Sequence, residues 1–172
     1  MADRCPRPLP SLDRLQELFQ PNFRQGELLR RKANRRGAAG TRAGSVSYDG
    51  RYQLVGIGGK TYLAHRILYA MYHKIDPGSD VQIDHKNGDG TDNCVDNLRA
   101  ATPAQNRQNS KVSRLGLKGA YRSSTKTGKQ WVSHINAHNE RHYLGCFETE
   151  EEAHEAYAKA SAEHHGKFGR VH

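Results

Sequence analysis

Residues 83–109, IDHKNGDGTDNCVDNLRAATPAQNRQN, are the most informative stretch of this chain. They are polar, rich in Asn and Asp, and without regular hydrophobic periodicity. Long segments of that kind in the middle of a compact domain are uncommon, and where they occur they usually carry function. Taken singly the residues say little, because Asp-His pairs are frequent on surfaces and Asn clusters often serve turns. The informative members are Asp84-His85, the run Asp96-Asn97-Leu98-Arg99, and Asn106 with Asn109 in the Thr-Pro-Ala-Gln-Asn-Arg-Gln-Asn segment.

Outward from this stretch the chain alternates between short periodic segments and turns. On the N-terminal side, Ser11 can cap a helix carrying Leu12, Leu15 and Leu18 at helical spacing, closed by Pro21-Asn22. The segment from Arg30 to Arg42 is basic and glycine-containing, so it reads as a loop or extended arm, with Arg35 and Arg36 as DNA-contact candidates. Tyr48, Tyr52, Leu54, Val55 and Ile57, interrupted by Gly50 and Gly58-Gly59, predict short antiparallel strands. Ala64 to His73 predicts a helix that buries Ile67, Leu68, Met71 and Tyr72, with Pro77-Gly78 as the turn beyond it.

The chain has 172 residues, 35% of them hydrophobic, which favours two small cores over one large one. It holds 27 Lys plus Arg against 18 Asp plus Glu, a net charge of +9 that points to a polyanionic partner. Residues 1 to 48 carry ten basic and four acidic side chains, 49 to 110 seven of each, and 111 to 172 ten and seven. A neutral, acid-containing centre between basic flanks suits a phosphodiester hydrolase, whose carboxylates must work beside a phosphate backbone. No apolar run approaches the roughly 20 residues of a membrane-spanning helix, and no signal-peptide segment is recognisable, so a soluble, intracellular protein without a membrane partner is expected. The three cysteines, Cys5, Cys94 and Cys146, are far apart with no Cys-x-x-Cys, which argues against a disulfide framework or structural zinc.

The stretch 83–109 resembles the HNH nucleases of the phage and intron homing endonuclease branch, in which a two-stranded hairpin and a helix grip one metal ion. The short N-terminal helix, Gly26-Glu27-Leu28-Leu29 and Tyr62-Leu63-Ala64-His65-Arg66 agree with that branch, so the resemblance covers roughly residues 9 to 110. It implies that His85 is the general base, a task suited to an imidazole with an unperturbed pKa of about 6.5. It implies that Asp84, pointing to the opposite side of the strand, binds the metal, with the amide oxygen of Asn106 as second ligand and Asn109 as the alternative. Oxygen ligands favour magnesium or manganese over zinc. Asn97, the middle motif residue, is implied to tie the loop to neighbouring backbone. Asn stands in the third motif position where many members have His. Arg99 and Arg107 are phosphate-binding candidates, and His65 with Arg66 is expected to pack on the hairpin or touch the DNA backbone.

Beyond residue 115 strand-like runs at 117 to 123, 130 to 137 and 141 to 144 precede a helix. Thr149 and Glu152 form a capping box, and Ala153, Ala156, Tyr157 and Ala160 share one face. Gly166 ends the helix and Phe168 folds back onto it. Alternation places Trp131, Ser133 and Ile135 toward the helix, and Val132, His134 and Asn136 outward. Gly119-Ala120-Tyr121-Arg122, Trp131, Leu144-Gly145-x-Phe147 and the Ala-rich helix resemble the AP2 DNA-binding domain, whose sheet enters the major groove. The resemblance implies that Tyr121, Ser123, His134, Asn136, Arg141 and Tyr143 face DNA, with Arg122 a further candidate. Tyr and Ser stand where the plant domains read bases with arginines, so base specificity does not transfer.

The expectation is therefore an α+β chain in three parts. Residues 1–44 form an N-terminal helix and basic arm, 45–112 a ββα-metal nuclease domain of the HNH or His-Me finger type, and 113–172 an AP2-like three-stranded antiparallel sheet packed on one helix. The function implied is a magnesium- or manganese-dependent endonuclease of homing type acting on double-stranded DNA, with no small-molecule substrate. A monomer would nick, and a dimer would be needed to cut both strands. The alternative is a non-catalytic, sequence-specific DNA-binding regulator that keeps the HNH fold.

Overall fold

A computed structural model describes residues 7–109, 116–123, 130–138 and 140–171 of the chain. The chain divides into two compact units, Met1–Pro103 and Ala104–His172. The boundary expected near residues 110 to 115 lies outside the described residues.

In the first unit, α1 (Leu12–Leu18) begins where the Ser11 side chain accepts a hydrogen bond from the Arg14 N–H at 3.3 Å, and it drives Leu15 fully into the core. Phe19 then leaves the helix as the first residue of β1 (Phe19–Asn22), antiparallel to β2 (Glu27–Arg30). Pro21 and Asn22, expected to close the helix, thus lie in a strand. A ribbon of two edge strands tolerates a proline there. The basic segment after β2 is not an extended arm but folds back, with Arg30 N–H donating to Thr41 O at 2.9 Å and Ala43 N–H to Leu28 O at 2.7 Å.

Next comes a three-stranded antiparallel sheet of β3 (Ser45–Val46), β4 (Gln53–Ile57) and β5 (Lys60–Leu63), in that order. It runs directly into α2 (Ala64–His73). Every residue of α2 from Ala64 to Met71 is buried, because α1, β2, β4 and β5 pack around it. Tyr72, expected on the buried face, is 48% exposed and meets Phe23 edge-on at 5.1 Å between ring centroids. Lys74 ends the helix in the left-handed region, and its N–H bonds Ala70 O.

The stretch 83–109 folds as a hairpin of β6 (Gln82–His85) and β7 (Leu98–Ala101), antiparallel, joined by a loop that contains a 3₁₀ turn (Val95–Asn97). Helix α3 (Pro103–Gln108) starts two residues after β7. Leu15, Phe19, Leu28, Val55, Ile67, Leu68, Ile83 and Leu98 belong to one buried cluster. The residues before 45 therefore share a core with the hairpin instead of forming a segment of their own.

The second unit contains β8 (Ala120–Arg122), β9 (Trp131–Ala137) and β10 (Glu140–Phe147), an antiparallel sheet with β9 in the middle, packed on α4 (Glu150–His165). Ser133, Ile135 and Ala137 are buried, as alternation requires of one face, while Trp131 at the strand's start is half-buried. Thr149 Oγ1 accepts from Glu152 N–H at 3.2 Å, but the Glu152 carboxylate reaches back to the N–H of Glu148 and not to that of Thr149. Gly166 is the C-cap residue, and Phe168 is buried beyond it.

Gly119, just before β8, has φ +83°, and a Cβ there would lie 2.0 Å from Cγ of Tyr157. The strand can approach the helix only without a side chain at this position. Gly119→Ala is therefore expected to destabilise the second unit by about 3 kcal/mol. Urea unfolding followed through the fluorescence of Trp131, the single tryptophan, measures this, and a loss near zero would show that Tyr157 repacks freely.

Candidate active site

Hairpin register sets the first feature of the site. Asp84 on β6 lies directly opposite Arg99 on β7, and Asp84 Oδ2 accepts from Arg99 Nε and from Nη2, both at 2.8 Å. Both nitrogens converge on one carboxylate oxygen in a charge-assisted pair, and both side chains are largely withdrawn from water. Arg99, read from the sequence as a phosphate contact, thus braces the acid expected to bind metal.

His85, the next residue, points to the other side of the strand. Asp84 and His85 are each only 5% exposed. The His85 ring meets the ring of His65 edge-on, with centroids 4.7 Å apart, and Tyr52 lies 6.3 Å away. His85 Nε2 is 3.0 Å from Asn93 Oδ1, and Asn93 Nδ2 is 3.1 Å from Gln53 Oε1. Asn93 and Gln53 are buried and were not singled out from the sequence. Gln53 had a legible signal, since it shares the core-facing phase of β4 with Val55. A buried amide in that phase has to be hydrogen-bonded.

The loop between the strands is held by side-chain amides. Asn97 Oδ1 accepts from Asn87 N–H at 3.0 Å, and Asn97 Nδ2 donates to Asp92 O at 2.8 Å and to Asn87 Oδ1 at 3.0 Å. Asn97 thus fastens both limbs of the loop, which returns Asn93 toward His85. Lys86 Nζ donates to Asp96 O at 2.6 Å. The turn before β2 crosses this loop closely: a Cβ on Gly26, which has φ +66°, would lie 2.3 Å from the Asn93 carbonyl carbon.

His65 packs on the hairpin, and Arg66 is spent on structure, donating to Val81 O at 2.7 Å and to Gly78 O. Of the two roles expected for this pair, packing is the one its burial favours. Nδ1 of His65 is buried without a hydrogen-bond partner. Burial above all, and then the charges of His85 and Arg66, hold the His65 imidazole well below its ordinary value.

Arg35 and Arg36 line a cleft of about 980 Å³ in the first unit, together with Arg14, Arg30 and Lys32. Arg36 Nη1 donates to Gly56 O at 2.7 Å and occupies the space a Cβ on that glycine would need, whereas Arg14 is paired with Glu17. Arg14 lies outside the basic segment read from the sequence, and Arg30 at its start is part of it. Asn106 and Arg107 lie on α3, at half-buried and exposed positions respectively, and Asn109 just beyond it is buried.

In the second unit the outward set lies on one open sheet face. Tyr121 and His134 stack with centroids 4.3 Å apart, and Arg141 Nη2 lies 3.0 Å from His134 Nδ1. A guanidinium only donates, so Nδ1 accepts and Nε2 carries the hydrogen of the neutral ring. Burial, followed by the Arg141 charge, lowers the His134 pKa. Asn136 pairs with Arg141 and Tyr143 with His134 across β9 and β10, and Asn136, Arg141 and Tyr143 are exposed. Ser123 bonds Gln130 O through its N–H. Arg122 lies opposite Trp131, with its guanidinium 5.7 Å from the Trp131 ring, and so falls in the other phase of the sheet from Tyr121.

Asp84 offers a hard oxygen donor. Among the described residues no group of three or more His, Cys, Asp or Glu side chains could hold a metal ion. A sparse oxygen set fits a magnesium- or manganese-like ion that keeps water in most of its positions, and does not fit a closed zinc site.

Two outcomes follow from this geometry. Because the folded chain resists protonating His65, the unfolded chain binds that proton first, so stability is full above about pH 6.5 and falls as the pH drops below it. Urea titrations at pH 7 and pH 5 are expected to show this loss, and His65→Phe to reduce it. Arg99→Met strips the guanidinium from a buried carboxylate and is expected to cost about 3 kcal/mol, most of it recovered by adding Asp84→Asn. Equal stability of the single and double variants would show that the cost does not come from the unpaired Asp84 carboxylate.

No curated protein and no solved structure matches the chain. Residues 62–108, from β5 through α2 and the β6–β7 hairpin to the end of α3, match the family model described as HNH endonuclease, which supports a nuclease acting on DNA.

Proposed function

We propose that this chain is a metal-dependent endonuclease that hydrolyses phosphodiester bonds of double-stranded DNA, with His85 as general base and Asp84 and Asn106 as oxygen ligands of one divalent cation. The observation that carries the reading is the placement of Asp84 and His85 on opposite sides of one hairpin strand, inside the segment that matches the nuclease family. An acid and a base kept apart in this way can serve an ion and a water molecule without neutralising each other. Asn106 is assigned from its motif position on α3, which follows the two strands in the order strand, strand, helix.

His85 takes the proton from the attacking water, and Asp84, braced by Arg99, presents its carboxylate to the ion. When bound, the ion supplies positive charge that offsets the negative charge developing on the phosphate and the leaving oxygen. Magnesium or manganese suits the oxygen donors. Asn97 keeps the loop closed so that the base stays in place.

The second unit is proposed to hold the duplex through its sheet in the manner of AP2 domains. Its open face supports this, because Tyr121, His134, Asn136, Arg141 and Tyr143 together offer hydrogen-bond donors and flat rings. Arg35, Arg36, Arg107 and the basic cleft of the first unit would add sequence-independent phosphate contacts. A homing endonuclease of phage type, working in the cytoplasm of a bacterial host, is the setting this combination suits. A single copy holds one active centre and nicks one strand.

Incubating supercoiled plasmid with the full chain and magnesium or manganese is expected to yield nicked circles, and His85→Ala to slow their formation by about 10²- to 10⁴-fold. If the parent chain binds duplex DNA but leaves the plasmid intact with both metals, it is a DNA-binding regulator and not a nuclease.

A further inference from the structure

Gln53 is a buried amide fixed by two neighbours of single polarity. Ala43 O can only accept, so the Gln53 atom 3.2 Å from it is the amide nitrogen. The Arg42 guanidinium can only donate, so the Gln53 atom 3.0 Å from its Nη2 is the carbonyl oxygen. The two constraints assign the same orientation independently. That oxygen also faces Asn93 at 3.1 Å, which must therefore present its own amide nitrogen. Asn93 is left with its carbonyl oxygen toward His85 Nε2, 3.0 Å away. A carbonyl oxygen carries no hydrogen, so Nε2 has to be the donor. In a neutral imidazole the lone pair then resides on Nδ1.

We propose that Gln53 and Asn93 form a polarity relay that sets the tautomer of His85, with the proton on Nε2 and the basic lone pair on Nδ1. Both are positioning residues: they act through His85. The inference rests on the assignment of His85 as the base, and it specifies which atom does the work. Turning Asn93 over would set its oxygen against the oxygen of Gln53 in a buried site and leave two acceptors facing each other. Gln53 lies outside residues 62–108, so the relay makes β4 part of the reaction centre.

Nitrogen-15 NMR of the His85 ring in its neutral form reads the tautomer directly, without metal or substrate. The parent chain is expected to show a protonated Nε2 and an unprotonated Nδ1. Gln53→Glu keeps an acceptor toward Asn93 while losing the bond to Ala43 O, and should retain the parent shifts and most of kcat. Gln53→Met removes the acceptor and should give shifts averaged toward the other tautomer, with kcat for plasmid nicking down by at least about tenfold and KM little changed. A merely structural role would rank both variants by stability and leave the tautomer alone. A parent ring protonated on Nδ1, or parent-like shifts in Gln53→Met, overturns the proposal, and the parent spectrum decides the tautomer even if a variant folds poorly. Nuclease activity is a separate readout: a chain with the expected tautomer that cuts no DNA sinks the nuclease reading and leaves the relay standing.

Discussion

Two adjacent ionisable side chains are buried on one strand of this protein, and both need partners of the right kind. Asp84 and His85 cannot share a partner, because consecutive strand residues point to opposite sides. The acid is met by Arg99 through the hairpin register, and the imidazole by Asn93 from the loop and His65 from α2. Most of the first unit can be understood as the means of delivering those partners. The loop has to come back, so Asn97 ties it, and β1–β2 closes over it at a glycine.

This requirement also explains why the upstream hairpins are inseparable from the site. Gln53 on β4 bonds Asn93, the turn before β2 crosses the peptide of Asn93, and Leu15, Leu28 and Val55 share a hydrophobic cluster with Ile83 and Leu98. The segment that matches the family is thus smaller than the body that positions its side chains. In the proposed role of base, the His85 imidazole needs a fixed partner at its second nitrogen, and Asn93, that partner, is held by Gln53 from outside that segment.

The second unit solves a different problem with a smaller core. Ile135, Tyr157 and Ala160, with Leu144 and Val171 against them, hold one face of a three-stranded sheet on α4. The opposite face is left open and carries the rings of Tyr121 and Tyr143 and the polar groups of His134, Asn136 and Arg141. Its side chains are ordered against one another, since Tyr121 stacks on His134 and Arg141 is held to the same imidazole.

Local pattern was enough to locate the elements: Ser11 capping α1, α2 at 64–73, the Thr149 cap, Gly166 and Phe168 at the end of α4, and the inward phase of Ser133 and Ile135 all follow from neighbours in the chain. So does the pairing of an acid with a histidine at 84 and 85, which is a matter of adjacency. Tertiary structure decided who their partners are. Arg99 became a brace because register put it across from Asp84. Tyr72 stayed partly in solvent because the packing that buries α2 stops at Met71, and Gln53 joined the site from 32 residues away. Hydrogen-bond polarity between residues so far apart depends on how sheets and loops pack, and no local periodicity encodes it.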